Sequence, residues 1–151
     1  MNYAVNGMNV SNEKHFSYVI DSDILIDHLR GYRCALEFID TLTTDDVQVC
    51  FSVISEAEIY ANVRPGEESI IEALFDSLSR VVVNGEIARK AGTYRAQYGP
   101  SHGVTLPDAL IAATVFVIGA ELFTRNARHY PMTDIKVRVP YALPQSPCAA
   151  E

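Results

Sequence analysis

The sequence has few of the features that mark secreted or membrane proteins. Its three cysteines, Cys34, Cys50 and Cys148, are far apart and lack CxxC or histidine-paired spacing, which predicts reduced thiols rather than disulfides or a zinc site. The chain does not open on a basic segment followed by an apolar run, and its longest apolar stretch, 109–120, is shorter than the ~20 residues that span a bilayer. We therefore expect a soluble cytoplasmic protein with no membrane contact.

Positive charge is also scarce. The formal net charge is −7, whereas a broad nucleic-acid-binding surface needs many Lys and Arg side chains to displace counterions from phosphates. Any contact with nucleic acid must therefore be local. The acidity does not exclude a nuclease, because a carboxylate pocket partly neutralised by a divalent cation is itself acidic.

Repeats, low-complexity tracts and long Gly- or Pro-rich linkers are missing as well. With 151 residues and a hydrophobic content of 48%, the chain has the size and apolar content of one domain. We assign that domain to residues 18–141. Residues 1–17 are predicted to be a loose N-terminal extension and residues 142–151 a C-terminal tail.

Strand and helix patterns alternate from end to end. The predicted strands cover residues 18–21, 48–52, 81–83, 121–124 and 136–139. Six helices are predicted. The first follows the first strand, with Ser22 or Asp23 as N-cap, and the others cover residues 33–42, 54–63, 70–78, 87–98 and 108–118. Gly99-Pro100 is predicted to end the helix at 87–98. The alternation is typical of an α/β/α sandwich with a mainly parallel central sheet, in which ligands gather at the carboxyl ends of the strands.

Two carboxylates follow the first strand. Asp21 is held by the rigid strand and opens onto the sheet edge, so we interpret it as a metal ligand. Asp23, two residues on, fits equally well as a helix cap and as a second ligand. The pattern leaves the role of Asp23 open.

Two glutamates follow the second strand. Glu56 and Glu58 are two residues apart on a predicted helix, so they point to roughly opposite sides and cannot both face one pocket. Glu58 shares its face with Ile54 and Ala61, which slightly favours Glu58 as the buried carboxylate. Taken alone, the pair would be better explained as two solvated surface carboxylates.

Two further sets of polar residues lie later in the chain. Asp108 stands in the first turn of an apolar helix, where capping and the helix dipole alone would explain an acid. The segment 124–129 offers a hydroxyl, an amide and two guanidiniums. Asn126 suits a neutral ligand or a positioning group, and Arg128 and His129 suit loop stabilisation as well as contact with RNA.

Together these segments resemble the PIN-domain family, and within it the VapC-type toxins. The similarity covers residues 18–141 in four ordered blocks, which are 19–27 (VIDSDILID), 52–55 (SVIS) leading to Glu58, 106–114 (LPDALIAAT) and 124–130 (TRNARHY). The resemblance implies a PIN-like α/β/α sandwich with about five strands, and it implies ribonuclease activity.

The resemblance also implies a set of site residues. Asp21, Glu58 and Asp108 would hold Mg²⁺ or Mn²⁺, which decides for Glu58 over Glu56. Asn126 would complete the catalytic set, at a position where many PIN nucleases carry a fourth acid. We predict substrate contacts from Ser22, Thr124, Arg125 and Arg128.

A mechanism and partners follow from this resemblance. The cation would activate water for in-line attack on phosphorus, which predicts 5′-phosphate and 3′-hydroxyl ends. The substrate would be a loop of transfer or ribosomal RNA, whose splayed bases can stack on arginine planes. Candidate contacts, each equally explained as a surface charge, are Arg30, Arg33, Arg95, Arg125 and Arg128. A VapB-like antitoxin and a second copy of the chain are the expected partners.

Two other functions are alternatives to this interpretation. A non-catalytic module would keep the PIN fold and bind a partner without cleaving RNA. A haloacid-dehalogenase-like phosphatase would use Asp21 of the Asp21-Ser22-Asp23 segment as a nucleophile. That family also requires a downstream Lys and a later acidic pair, and neither Lys90 nor Lys136 lies in a suitable acidic motif.

Overall fold

The computed structural model describes residues 17–44 and 46–143. These residues form β1 (Ser17–Ile20), α1 (Ser22–Leu29), α2 (Arg33–Thr44), β2 (Gln48–Ser52), α3 (Val53–Tyr60), α4 (Glu68–Asp76), β3 (Ser79–Val81), α5 (Gly85–His102), α6 (Leu106–Ile118), β4 (Glu121–Phe123) and β5 (Lys136–Arg138). The predicted N-terminal extension lies outside the described residues except for Ser17, which belongs to β1. Of the predicted tail, residues 144–151 also lie outside them.

The strands form one five-stranded sheet with the order β3-β2-β1-β4-β5. All four pairings between neighbouring strands are parallel. Parallel strands need crossover connections, and α-helices fill that role in all but the connection from β4 to β5, which contains only a short helical turn. The predicted α/β fold class, with a parallel sheet of five strands, is confirmed.

Helices cover both faces of the sheet. Val19 and Leu122 point into a core shared with α5 and α6. Their chain neighbours Ile20 and Phe123 point into a second core, which contains buried side chains of α1, α2, α3 and α4. Successive residues of a strand face opposite sides, so two-residue apolar segments suffice to supply both cores. The result is a three-layered α/β/α sandwich.

The predicted bounds of β3 and α5 are wrong. Strand β3 covers Ser79–Val81 rather than residues 81–83, because Ser79 pairs with Cys50 of β2 and Val82 is already 64% exposed. Helix α5 continues through Pro100 to His102 and ends at Gly103, whose φ of 65° is left-handed. Proline near a helix end removes a single hydrogen bond, and packing of α5 on α6 outweighs that loss.

Helix α6 ends at the predicted residue but begins earlier than predicted. Gly119 closes it with a left-handed φ of 68°. The helix begins at Leu106, two residues earlier than predicted, because the Thr105 hydroxyl caps it. Within residues 17–44 and 46–143, no helix combines the length and the apolar character needed to cross a membrane.

Candidate functional site

The predicted site residues meet at the carboxyl edge of the sheet. Asp21 follows β1 directly, and its backbone N–H donates to the Phe123 carbonyl at 2.9 Å, which continues the pairing of β1 with β4. Ser52 ends β2 and caps α3, so that helix starts from the same edge. Because β1, β2 and β4 are parallel neighbours, the chain segments that follow them converge there.

Among the carboxylates of the predicted site, Asp21 is the most deeply buried, with 6% of its surface exposed. One oxygen accepts from the Ser22 backbone N–H, and the other accepts from the Thr124 hydroxyl, both at 2.8 Å. Burial raises the pKa of Asp21, and the negative charge of Asp108 adds to that rise, although hydrogen bonds oppose it. Ionisation of the buried Asp21 carboxyl therefore costs free energy, and a nearby cation would offset that cost.

Asp21 also caps α1, a role predicted for Ser22 or Asp23. Its backbone stays extended, with φ −70° and ψ 156°, so its side chain reaches the first free N–H of the helix. The cap prediction was wrong by one residue because the strand passes into the helix without a connecting turn.

Asp23 ties the first turn of α1 to the segment after β4. Its Oδ2 atom accepts from the Arg125 backbone N–H at 2.9 Å and from the Asn126 side-chain amide at 3.2 Å. The Thr124 hydroxyl lies at 3.2 Å from the same oxygen. Burial, and then the charge of Asp21, raises the pKa of Asp23 to about 6. Asp23 is thus a fourth carboxylate of the group, and its hydrogen bonds fix the segment after β4.

The two glutamates of α3 point to different places. The Ser22 hydroxyl donates to Glu58 Oε1 at 3.1 Å, which brings Glu58 to the group. Burial raises the pKa of Glu58, and the charges of Asp21, Asp108 and Asp23 raise it further. Glu56 instead forms an ion pair with Arg80 on β3, with distances of 2.7 and 3.0 Å.

Asp108 stands in the first turn of α6 without acting as its cap. The Thr105 hydroxyl accepts from the Asp108 backbone N–H at 3.3 Å, so the Asp108 carboxylate is left for other partners. Its nearest basic group is the exposed His129, whose Nδ1 lies 3.9 Å from Asp108 Oδ2. We call Asp21, Asp23, Glu58 and Asp108 the acidic centre.

The segment after β4 supplies the polar border of the acidic centre. Thr124 is fully buried, and its hydroxyl also accepts from the Asn126 backbone N–H at 3.1 Å. The Arg125 guanidinium is engaged elsewhere, in an ion pair with Asp27 at 3.1 Å. Arg128 is exposed and makes no ion pair or hydrogen bond within the described residues.

The acidic centre fits a hard divalent cation by donor type and by charge. Its side chains offer oxygen ligands. The charge of Asp108 makes Asp21 harder to ionise, and the charges of Asp21, Asp108 and Asp23 do the same to Glu58. A cation would offset this repulsion. In the described part of the chain, no three His, Cys, Asp or Glu side chains stand in metal-binding geometry, and Mg²⁺ usually takes one or two protein carboxylates and keeps several waters.

Comparison with known proteins places the chain in a family. The sequence pattern of the PIN domain matches residues 18–134. This chain belongs to the PIN-domain family. It is 37% identical to ribonuclease VapC19 of Mycobacterium tuberculosis over 115 residues, which cover 76% of this chain and 92% of that protein. It is 35% identical to ribonuclease VapC10 of the same organism over 127 residues, which cover 83% and 94% of the two chains.

Solved structures share the fold of this chain. A toxin–antitoxin complex from Klebsiella pneumoniae contains a chain that superposes with a TM-score of 0.70 at 25% sequence identity. The match covers 83% of this chain and 99% of that one. The PIN-like α/β/α fold is therefore established from the sheet topology and from this superposition.

Two polar residues of this PIN domain, Asp27 and Tyr130, were missed by the sequence analysis. Asp27 is buried and accepts from Arg125 and, at 2.9 Å, from the Tyr141 hydroxyl. Tyr130 is buried beside Asp21. Spacing on α1 places Asp27 one helical turn after Asp23, but no local pattern connects it with Arg125 or Tyr141, which are distant in sequence.

Proposed function

We propose that this PIN domain is a Mg²⁺- or Mn²⁺-dependent endoribonuclease and the toxin of a VapBC-type toxin–antitoxin pair. The proposal is carried by the convergence of Asp21 after β1, Glu58 on α3 and Asp108 on α6 at one sheet edge, where the charge of Asp108 raises the pKa of both Asp21 and Glu58. Chance surface acids would repel and separate. Identities of 37% and 35% to two ribonucleases support the same activity.

The residues divide the work of RNA hydrolysis as follows. A bound cation would supply Lewis acidity toward the phosphate and the attacking water. Asp21, Glu58 and Asp108 would hold it, while Thr124 orients Asp21 and Ser22 orients Glu58 through hydrogen bonds. Attack by water in line with the 3′ oxygen leaves 5′-phosphate and 3′-hydroxyl ends.

Arg128 is the best supported RNA contact among the predicted arginines. Arg125 is paired with Asp27, and Arg30 is paired with Glu67. Arg128 is exposed, lies in the segment that borders the acidic centre and has no acidic partner within the described residues. The expected substrate is an unpaired loop of transfer or ribosomal RNA, whose phosphates and bases such an arginine can contact.

A VapB-like antitoxin and a second copy of the chain are the proposed protein partners. The Klebsiella structure is a toxin–antitoxin complex, which supports an antitoxin partner. Tyr60 and Ile70, at the end of α3 and in α4, expose 41% and 51% of their surfaces. These side chains offer apolar area for an interface.

The proposal is tested by incubating total cellular RNA with the purified protein and Mg²⁺ or Mn²⁺, beside EDTA and D108N controls, with mapping of fragment ends. E58Q and E56Q form a matched pair, because both remove one charge from the same helix and Glu56 instead pairs with Arg80. We expect discrete fragments that disappear with EDTA, D108N and E58Q and persist with E56Q. Intact RNA with folded, metal-loaded protein would favour a non-catalytic binding module.

A further inference from the structure

Tyr130 is a buried tyrosine whose hydroxyl completes no hydrogen bond of good geometry among the described residues. The residue follows the short helical turn Ala127–His129 and is 4% exposed. Its ring packs in the core shared with α5 and α6, but its oxygen makes no hydrogen bond of full geometry with any described group. A buried hydroxyl without a partner destabilises a fold, so such a group calls for a compensating role.

The hydroxyl of Tyr130 lies against the acidic centre. Burial raises the pKa of Tyr130 well above its usual value, and the charges of Asp21 and Asp108 raise it further. Tyr130 is also one of the side chains that interact with the Asp21 carboxylate. A phenol is protonated at neutral pH, so Tyr130 is a hydrogen-bond donor.

Asp21 has room for this donor. Its present donors are the Ser22 backbone N–H on one oxygen and the Thr124 hydroxyl on the other, while the Ser22 hydroxyl, which donates to Glu58, lies 3.3 Å from the first oxygen. An ionised carboxylate accepts about four hydrogen bonds. The Asp21 carboxylate can therefore accept one more donor without losing the present ones.

We propose that Tyr130 is a positioning residue of the acidic centre, whose hydroxyl donates to the ionised carboxylate of Asp21 and orients it toward a divalent cation. This inference rests on the proposed function, since it assumes that Asp21 binds the metal. Groups that orient metal ligands in this way typically change metal affinity by about 10- to 100-fold when they are removed.

The Y130F variant separates this role from packing, because it keeps the ring and removes only the hydroxyl. Y94F is the matched control: Tyr94 is also buried, and its hydroxyl donates to Asp134 at 2.6 Å, outside the acidic centre. Mn²⁺ affinity is measured by titration calorimetry, and the Tm of the EDTA-treated protein is measured by circular dichroism.

We expect Y130F to bind Mn²⁺ about tenfold more weakly than the parent chain while its Tm in EDTA stays the same or rises. Y94F should show the opposite pattern, with a lower Tm and unchanged Mn²⁺ affinity. Unchanged Mn²⁺ affinity in Y130F, or a lower Tm in EDTA, would overturn the role of Tyr130. Failure of the parent chain to bind Mn²⁺ would instead overturn the metal dependence in the proposed function.

Discussion

The Ser22 hydroxyl lies 3.1 Å from Glu58 Oε1 and joins two helices across 36 residues of sequence. Its oxygen is also 3.3 Å from Asp21 Oδ1, so one short side chain stands between two proposed metal ligands. The hydroxyl has a single proton and can donate to one of them at a time. Ser22 therefore sets the spacing of the two carboxylates.

Removal of this hydroxyl should weaken RNA cleavage without unfolding the protein. In S22A, Glu58 loses the donor that orients it, while the backbone N–H of residue 22 still binds Asp21. We expect cleavage to slow by about tenfold, as for other groups that orient metal ligands. The assay compares initial rates at saturating Mn²⁺. S101A, at an exposed serine, is the control, and equal rates in both variants would contradict a positioning role.

Divalent cations should stabilise the fold, by an amount that grows with the logarithm of their concentration once it exceeds the Kd. A ligand that binds only the folded state at about 100 times its Kd adds about 2.7 kcal/mol to the free energy of unfolding. We expect the Tm to rise with Mn²⁺ or Mg²⁺ and to respond much less in D108N. Titration with Na⁺ at matched ionic strength controls for screening. A Tm that responds equally to Na⁺ would point to general charge screening.

The metal-free protein should lose stability as the pH rises through about 6. Burial raises the pKa of Asp23 from 3.8 to about 6, so the folded chain holds more protons than the unfolded chain between these values. This contribution is fully present below about pH 4 and is lost as the pH rises through the folded pKa. Urea unfolding in EDTA from pH 4 to 8 should show a shallower decline in D23N.

Cation binding should depend on pH in the opposite direction. Metal binding requires ionised carboxylates, so the affinity for Mn²⁺ should increase between about pH 5 and 7 as Asp23 and its neighbours lose protons. Calorimetric titration in buffers of different ionisation enthalpy counts the protons released. Release of no protons near pH 6 would show that these carboxylates are already ionised before the cation binds.

The pair between Arg125 and Asp27 should contribute to stability. The Asp27 side chain is 5% exposed, and in R125A it would keep the Tyr141 hydroxyl but lose its positive partner. Loss of one partner from a buried pair costs about 3 kcal/mol, here less because Arg125 is 26% exposed. Urea unfolding of R125A is compared with R33A, whose exposed pair with Glu37 should cost less than about 1 kcal/mol. Equal losses in the two variants would show that burial adds nothing to the first pair.

Local patterns predicted most of the architecture and part of the site. Alternating apolar segments give the order of strands and helices, and a parallel sheet then carries the ends of β1 and β4 to one edge. Asp21 and Asp108 could be chosen because each stands at a boundary that the apolar pattern marks. The limits of β3 could not be predicted, since three adjacent valines fit several registers and pairing with β2 selects one.

The sequence by itself determined the class of fold and the placement of Asp21 and Asp108, because both depend on the periodicity of neighbouring residues. Only the tertiary structure shows by geometry which glutamate of α3, Glu56 or Glu58, lies at the same sheet edge. Arg80 on β3 draws Glu56 away, while Ser22 on α1 holds Glu58. It also decided that Arg125 pairs with Asp27, 98 residues earlier in the chain. Such choices depend on contacts between elements distant in sequence, which no local pattern records.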